Sequence, residues 1–295
     1  MVQPSKLKPT SRGLAVVTGA AGILGPGLCA TLKAEGWTVA ACDLSGDEFV
    51  NAENYGFPVP CDGEFYADLT SPAACQSLIA EIEATLGPPK LLVNNAVNEA
   101  FVASLPEMTP EIFSASTQLN LGAPIFLTQA ALPSLSQQMG SVVMISSVRV
   151  QRFAPRRMLY SVTKAAVEKL TEALAYELTD KGVRVNCVRV GSVPGLAFMR
   201  PILRKLEPAM ARELCDHVLP AHLNGENRDG SVRSHGKPSD IGSAICYLAS
   251  DEAAFINGVI LPVDGGFAVR GPSSSGGPSI LNQSLDRMRT WLAAR

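Results

Sequence analysis

Seven short runs of nearly continuous apolar or β-branched residues recur along the first 263 positions, and this alternation constrains the fold more than any other feature. They are Leu14–Thr18, Thr38–Cys42, Phe65–Ala67, Leu91–Val93, Ser141–Ser146, Val183–Arg189 and Val259–Val263. Between several of them lie segments of helical period, notably Ile112–Leu135, Tyr160–Thr179 and Asp240–Leu248. Runs such as GLAVVT and KLLVNN show no polar alternation, as expected of strands buried on both faces. Strand, helix, strand repeated in this way predicts an α/β chain: a doubly wound parallel sheet of about seven strands with helices on both faces.

A sheet of that size uses one long domain. With 295 residues, 46% of them hydrophobic and 18% charged, the chain has the apolar material for such a core. The expected organisation is a single domain over 1–270, with a lid-like insertion at about 195–236, followed by a linker and C-terminal helix over 271–295. The linker reads GPSSSGGPS. Beyond it, Leu281, Leu285, Met288 and Leu292 share one helical face, suited to docking on its own subunit or on a neighbour. Ser45–Glu64 has prolines, glycines and little period, and reads as irregular connection.

Composition narrows the partners. A net charge of −2 supplies no basic field for nucleic acid or an anionic membrane. No apolar run approaches the ~18 residues of a membrane span, and the first residues lack the apolar centre of a signal peptide. Seven scattered cysteines form no CxxC pair, so free thiols in a reducing cytoplasm are expected. His217, His222 and His235 match no zinc spacing, even with Cys215 and Asp216 beside the first, so no metal site is expected.

The chemistry is concentrated at strand ends. The first strand runs into Thr18-Gly19-Ala20-Ala21-Gly22-Ile23-Leu24-Gly25 and then a helix. Glycines there permit a sharp turn and close approach of a pyrophosphate to the helix N-terminus. The second strand ends in Asp43, whose carboxylate can accept both adenosine ribose hydroxyls or cap the next turn. It would repel a 2′-phosphate, and no Arg or Lys follows until Lys90, which favours NAD over NADP. Ser147 lies thirteen residues before Tyr160, and Tyr160 four before Lys164. Positions i and i+4 share a helix face, so phenol and ammonium converge, and an adjacent cation favours the phenolate needed for proton exchange with an alcohol or carbonyl oxygen.

Taken together, these residues resemble the short-chain dehydrogenase/reductase family in its short single-domain form, from about Gly13 to Phe267. The resemblance also includes Asp68-Leu69, Asn94-Asn95-Ala96, Asn120 in Leu-Asn-Leu-Gly, Val183-Arg184-Val185-Asn186, the stretch from Pro238 to Glu252, and Val263-Asp264-Gly265-Gly266. It implies a Rossmann-type sheet and an NAD(H)-dependent oxidoreductase interconverting a secondary alcohol and a ketone. Tyr160 would be the general acid or base, Lys164 would hold the nicotinamide ribose, and Ser147 would bond the substrate oxygen. Asn120 would position a water linking Lys164 to solvent. Gly19, Gly22, Ile23, Leu24, Asp43, Asp68, Leu69, Asn95, Ala96, Tyr160, Lys164 and Val193 would contact NAD. A homo-oligomer, tetramer or dimer, is implied through the long helices.

The chain departs from the family pattern at Ile23, where glycine is usual, at Val97, at Val190 before Gly191, and at Gly195. The Gly22 spacing keeps an epimerase or dehydratase with transiently used NAD as an alternative, beside a non-catalytic nucleotide-sensing or scaffold protein. Arg149, Arg152, Arg156 and Arg157 follow the serine, with Arg200, Arg204 and Lys205 in the insertion. They would suit an anionic substrate or serve surface and subunit contacts. Phe101, Met108, Phe153, Met158, Leu159, Phe198 and Met199 are candidates for an apolar pocket wall or for core.

Overall fold

The computed structural model describes residues 11–48, 58–97, 103–191, 193 and 236–269. Outside the described residues lie the insertion except Gly236, the 271–295 tail, Cys215, Asp216 and the three histidines, Arg200, Arg204 and Lys205, and Phe101, Phe198 and Met199.

In chain order the elements are β1 (Leu14–Thr18), α1 (Gly25–Ala34), β2 (Thr38–Asp43), β3 (Gly63–Tyr66), α2 (Pro72–Leu86) and β4 (Pro89–Asn94). Then come α3 (Pro110–Thr117), α4 (Ala123–Gln137), β5 (Ser141–Ser147), α5 (Met158–Glu177), β6 (Arg184–Val190), α6 (Pro238–Leu248) and β7 (Ile260–Val263). The strands form one seven-stranded sheet in the order β3-β2-β1-β4-β5-β6-β7, and every pairing is parallel.

Successive residues of a strand point to opposite faces, and both faces are covered. Leu14 and Val16 of β1 join a cluster with Leu78 and Ile82 of α2, Leu127 and Leu135 of α4, and Val167 of α5. Ala15 and Val17 join the opposite cluster with Leu28 and Leu32 of α1 and Ile241 and Ile245 of α6. Helix starts follow from local chemistry. The Ser71 hydroxyl accepts the Ala74 N–H at 3.3 Å before α2, and Thr109 accepts Ile112 N–H at 3.3 Å before α3. Pro72 and Pro110 open those helices, where a missing N–H costs nothing.

Two local expectations change. Ile112–Leu135 is not one uninterrupted α-helix: a π-turn over Gln118–Gly122 joins α3 to α4. The wide turn absorbs one extra residue, so α3 packs beside α5 while α4 packs on α2 and β4. The Ser45–Glu64 connection opens with a helical turn at 46–48, and β3 already begins at Gly63. Among the described residues no helix is long and apolar enough to cross a membrane.

Candidate active site at the carboxyl edge of the sheet

Parallel strands deliver their carboxyl ends to one edge, and the strand order reverses direction between β1 and β4, where a crevice opens. Asp43 ends β2, and Asp68 and Leu69 follow β3. Asn95 and Ala96 follow β4, Ser147 ends β5, and Gly191 and Val193 follow β6. The sequence-predicted residues therefore meet at one edge.

The glycine-rich turn is built for close approach. Gly19 has φ +63°, and a Cβ there would lie 2.8 Å from Ala96 Cα. At Gly25 a Cβ would lie 2.1 Å from the Ala20 carbonyl oxygen. Helix α1 starts after Leu24, whose side chain makes no capping hydrogen bond to its first-turn amides, at the positive end of the helix dipole. Ile23 and Leu24 are partly exposed beside them. A cradle of this kind fits a pyrophosphate.

The neighbouring polar groups fix this turn. Asp43 Oδ2 accepts the Ala21 N–H at 2.9 Å, and Oδ1 accepts Leu44 N–H at 2.8 Å. Asp43 thus caps the turn after β2 through Leu44 and braces the glycine-rich turn through Ala21. Thr18 Oγ1 accepts the N–H groups of Asn95 and Ala96, each at 3.1 Å. The Asn95 amide donates to the carbonyls of Thr18 at 2.9 Å and Gly19 at 3.0 Å. Asn95 accordingly braces the turn through its side chain. Asp68 is exposed and accepts both the Thr70 N–H and hydroxyl, at 3.0 and 2.7 Å, while Leu69 is buried beneath it.

At the other side of the crevice, Tyr160 and Lys164 share one face of α5, with the ammonium 5.9 Å from the centre of the phenol ring. Lys164 is only 3% exposed and donates to the Ile145 carbonyl at 2.7 Å. Ser147 Oγ accepts the Arg149 N–H at 3.2 Å, a contact that leaves its own hydrogen to donate. Asn120, within the π-turn, donates to Thr163 Oγ1 at 3.2 Å, and Thr163 donates to the Tyr160 carbonyl at 3.0 Å. One hydrogen-bonded chain thus ties the π-turn to the helix bearing the tyrosine.

The family profile described as "Enoyl-(Acyl carrier protein) reductase" matches residues 19–268. Nodulation protein G of Azospirillum brasilense is 33% identical over 267 residues, covering 87% of this chain and 98% of its own. An acetoacetyl-CoA reductase of Rhizobium meliloti is 32% identical over 256 residues, covering 86% and 97%. A 7alpha-hydroxysteroid dehydrogenase of Bacteroides fragilis is 27% identical over 265 residues, covering 88% and 95%. The chain belongs to the short-chain dehydrogenase/reductase family. It is therefore an oxidoreductase of the kind that uses a nicotinamide dinucleotide.

Within this short-chain dehydrogenase/reductase the arginines after Ser147 are engaged in protein contacts. Arg149 donates to the Arg152 carbonyl at 3.3 Å, Arg152 to the Ala268 carbonyl at 2.9 Å, and Arg156 pairs with Glu107 at 2.7 Å. The anticipated apolar wall divides as well. Phe153 and Met158 line a groove of about 540 Å³ with Ala103, Leu105, Ser161 and Val162. At 100° per residue, Ser161, Val162 and Ala165 lie on a different face of α5 from Tyr160 and Lys164. The α5 residues lining the groove therefore face away from the Tyr160–Lys164 pair. Leu159 is core, and Met108 is half-buried.

Two residues next to the crevice escaped sequence reasoning. Glu168 and Arg189 form a bidentate ion pair, with Arg189 Nε and Nη2 each 2.7 Å from a carboxylate oxygen. The available signal was Arg189 near the end of the strand RVNCVRV, flanked by Val188 and Val190, since a charge there needs a partner.

Proposed function

We propose that the protein is an NAD(H)-dependent oxidoreductase interconverting a secondary alcohol and a ketone, with Tyr160 as general acid in reduction and general base in oxidation. The carrying observation is the Tyr160–Lys164 pair on α5 set against Ser147 at the end of β5. Ser147 would donate to the substrate oxygen and stabilise the charge developing there. Lys164, fixed by the Ile145 carbonyl, would hold the nicotinamide ribose and favour the phenolate. Asn120 would position a water that carries the proton from Lys164 to solvent. NAD, when bound, supplies the hydride acceptor, and NADH the donor.

NAD rather than NADP is favoured by the Asp43 carboxylate, held at the end of β2 by the turn amide of Ala21. A 2′-phosphate placed there would meet like charge, and residues 19–25 contain no cation to offset it. The cofactor contacts would then come from Gly19, Gly22, Ile23, Leu24, Asp43, Asp68, Leu69, Asn95, Ala96, Tyr160, Lys164 and Val193. That relatives carry the names acetoacetyl-CoA reductase and 7alpha-hydroxysteroid dehydrogenase supports an alcohol–ketone pair as the substrate class.

Residues 1–270 would form the catalytic domain, with the 195–236 insertion as its lid and 271–295 as linker and helix. We also infer a cytoplasmic homo-oligomer. Leu105, Phe153 and Val162, more than half exposed around the groove on α5, support association through that helix.

The test is paired titration of NADH and NADPH on the wild-type chain and on Asp43→Ala, followed by turnover of a panel of secondary alcohols and ketones. NADH preference lost in the variant, with net hydride transfer, is the expected result. NADPH preference would overturn the cofactor assignment. Tight NAD binding without net redox would favour an epimerase, dehydratase or nucleotide-sensing role.

A further inference from the structure

The strongest unassigned feature lies directly behind the proposed catalytic residues. Glu168 is one helical turn beyond Lys164 and two beyond Tyr160, on the same face of α5. Its carboxylate receives both arms of the Arg189 guanidinium at 2.7 Å. Oε1 also receives the Ser146 hydroxyl at 2.7 Å. The side chains of Arg189 and Glu168 are only 15% and 11% exposed, so water screens the pair weakly. Ser146 and Arg189 are direct cross-strand partners, and Ser147 faces Val190 in the next register position.

Each of the two residues preceding Ser147 is therefore tied across the gap between β5 and α5, and the Ser146 hydroxyl also lies 3.3 Å from the Lys164 carbonyl. Lys164 Nζ holds the Ile145 carbonyl, and Glu168 holds the Ser146 hydroxyl. Arg189 connects the second tie to β6, one residue before the strand's end and two before Gly191.

We propose that Glu168 and Arg189 are a positioning pair that fixes the spacing of Ser147 against Tyr160 and Lys164. This inference rests on the assignment of Tyr160, Lys164 and Ser147 made above. As a positioning pair it acts through Ser146 and through the rigid fork between α5 and β6. The bidentate geometry matters because two parallel bonds fix orientation as well as distance. An error near 1 Å in the placement of reacting groups can cost about a hundredfold in rate.

The charged and titratable groups around this junction come from several elements. Lys164 and Glu168 belong to α5, Arg189 and the Cys187 thiol to β6, and Asp264 follows β7. Arg149 lies in the turn after β5, whose strand SVVMISS contains no ionisable side chain. The π-turn contributes the uncharged Asn120.

The test compares wild type with Glu168→Leu/Arg189→Met, Ser146→Ala and Tyr160→Phe. Replacing both members of a buried ion pair by apolar residues of similar size preserves stability in many proteins. The double variant is therefore expected to keep its melting temperature and NADH affinity, while kcat falls about tenfold or more. Ser146→Ala leaves the ion pair intact and cuts its link to β5 together with the longer contact to the Lys164 carbonyl; kcat is expected to fall several-fold with little change in melting temperature. The Tyr160 phenolate midpoint, read by ultraviolet difference against Tyr160→Phe, is expected to move upward in the double variant as the spacing of β5 and α5 around Lys164 loosens.

Wild-type kcat and an unmoved phenolate midpoint in the folded double variant would overturn the proposal. If the double variant does not fold, wild-type kcat and midpoint in Ser146→Ala would overturn it instead. Equal turnover by wild type and Tyr160→Phe would defeat the catalytic assignment itself. In the absence of any turnover, the phenolate midpoint decides the positioning role alone.

Discussion

Ala21 donates its backbone N–H to the Asp43 carboxylate at 2.9 Å, so the glycine-rich turn and the end of β2 are locked together across the two strands. The acidic residue expected to read the ribose is therefore also part of the turn that would cradle the pyrophosphate. A ribose contact at Asp43 would therefore be mechanically coupled to the geometry of the turn through one side chain.

Substitution at Asp43 should consequently change both properties. Asp43→Asn retains a neutral oxygen acceptor for the Ala21 amide but loses the charge assistance of the ribose contact. NADH affinity is expected to fall about tenfold, equivalent to about 1.4 kcal/mol, with a smaller loss of melting temperature than in Asp43→Ala. Calorimetric titration alongside thermal unfolding checks this. Unchanged NADH affinity in both variants would remove Asp43 from the cofactor site.

Tyr160→Phe removes the phenolic oxygen while keeping the ring beneath the Lys164 ammonium. Loss of a positioned general acid is expected to lower kcat by a factor of about 10² to 10⁴, with melting temperature and NADH affinity nearly unchanged. A variant retaining more than a third of wild-type turnover would exclude proton transfer by this residue.

A pH dependence follows from the loop before α3. Hydrogen bonds from Ser104 and then Arg156 draw the Glu107 carboxyl down to about 2. Because the folded value lies below the ordinary glutamate range, the stabilisation is fully present above that range and is lost as pH falls through about 2. A carboxyl chemical-shift titration should show the low midpoint in wild type and a higher one in Arg156→Ala. A wild-type midpoint in the ordinary range would contradict the pairing.

The described cysteines should react unequally. Burial pushes the thiols of Cys29 and Cys187 up to about 12 and those of Cys75 and Cys246 up to about 11. Burial also raises Cys42 well above its ordinary value. Cys61 is raised too, but it is the described cysteine that is not fully buried. Brief alkylation of the native chain near pH 8, read by peptide mass spectrometry, should mark Cys61 ahead of these five. Faster labelling of Cys187 would require an opening of the sheet that the packing does not suggest.

The sequence made the sheet legible because β1, β4 and β5 are apolar on both faces, and such runs have few other uses in a long chain. The positions of Asp43, Ser147, Tyr160 and Lys164 followed from strand ends and helical spacing, both of which are local. Less could be read wherever a side chain's partner lay far along the chain. Nothing near Asn95 in the sequence shows that its amide bonds Thr18 and Gly19, more than seventy positions away. The arginines after Ser147 showed their number but not their partners, which include Ala268 and Glu107. The π-turn at Gln118–Gly122 was hidden for another reason. Apolar periodicity is nearly continuous through it, and a single extra residue in a helix barely disturbs the pattern.

That extra residue makes the 110–137 segment sensitive to length as well as to composition. An i→i+5 turn stores one residue that an α-helix would not hold. Deleting one of the residues flanking Asn120 in QLNLG would let the segment close into an unbroken α-helix and remove the wide turn that presents Asn120. Leu127 and Leu135 would still reach the core, but Asn120 would lose its aim at Thr163. Conservative substitutions here are tolerable in a way that insertions and deletions are not, so variation in this stretch should preserve residue count before residue identity.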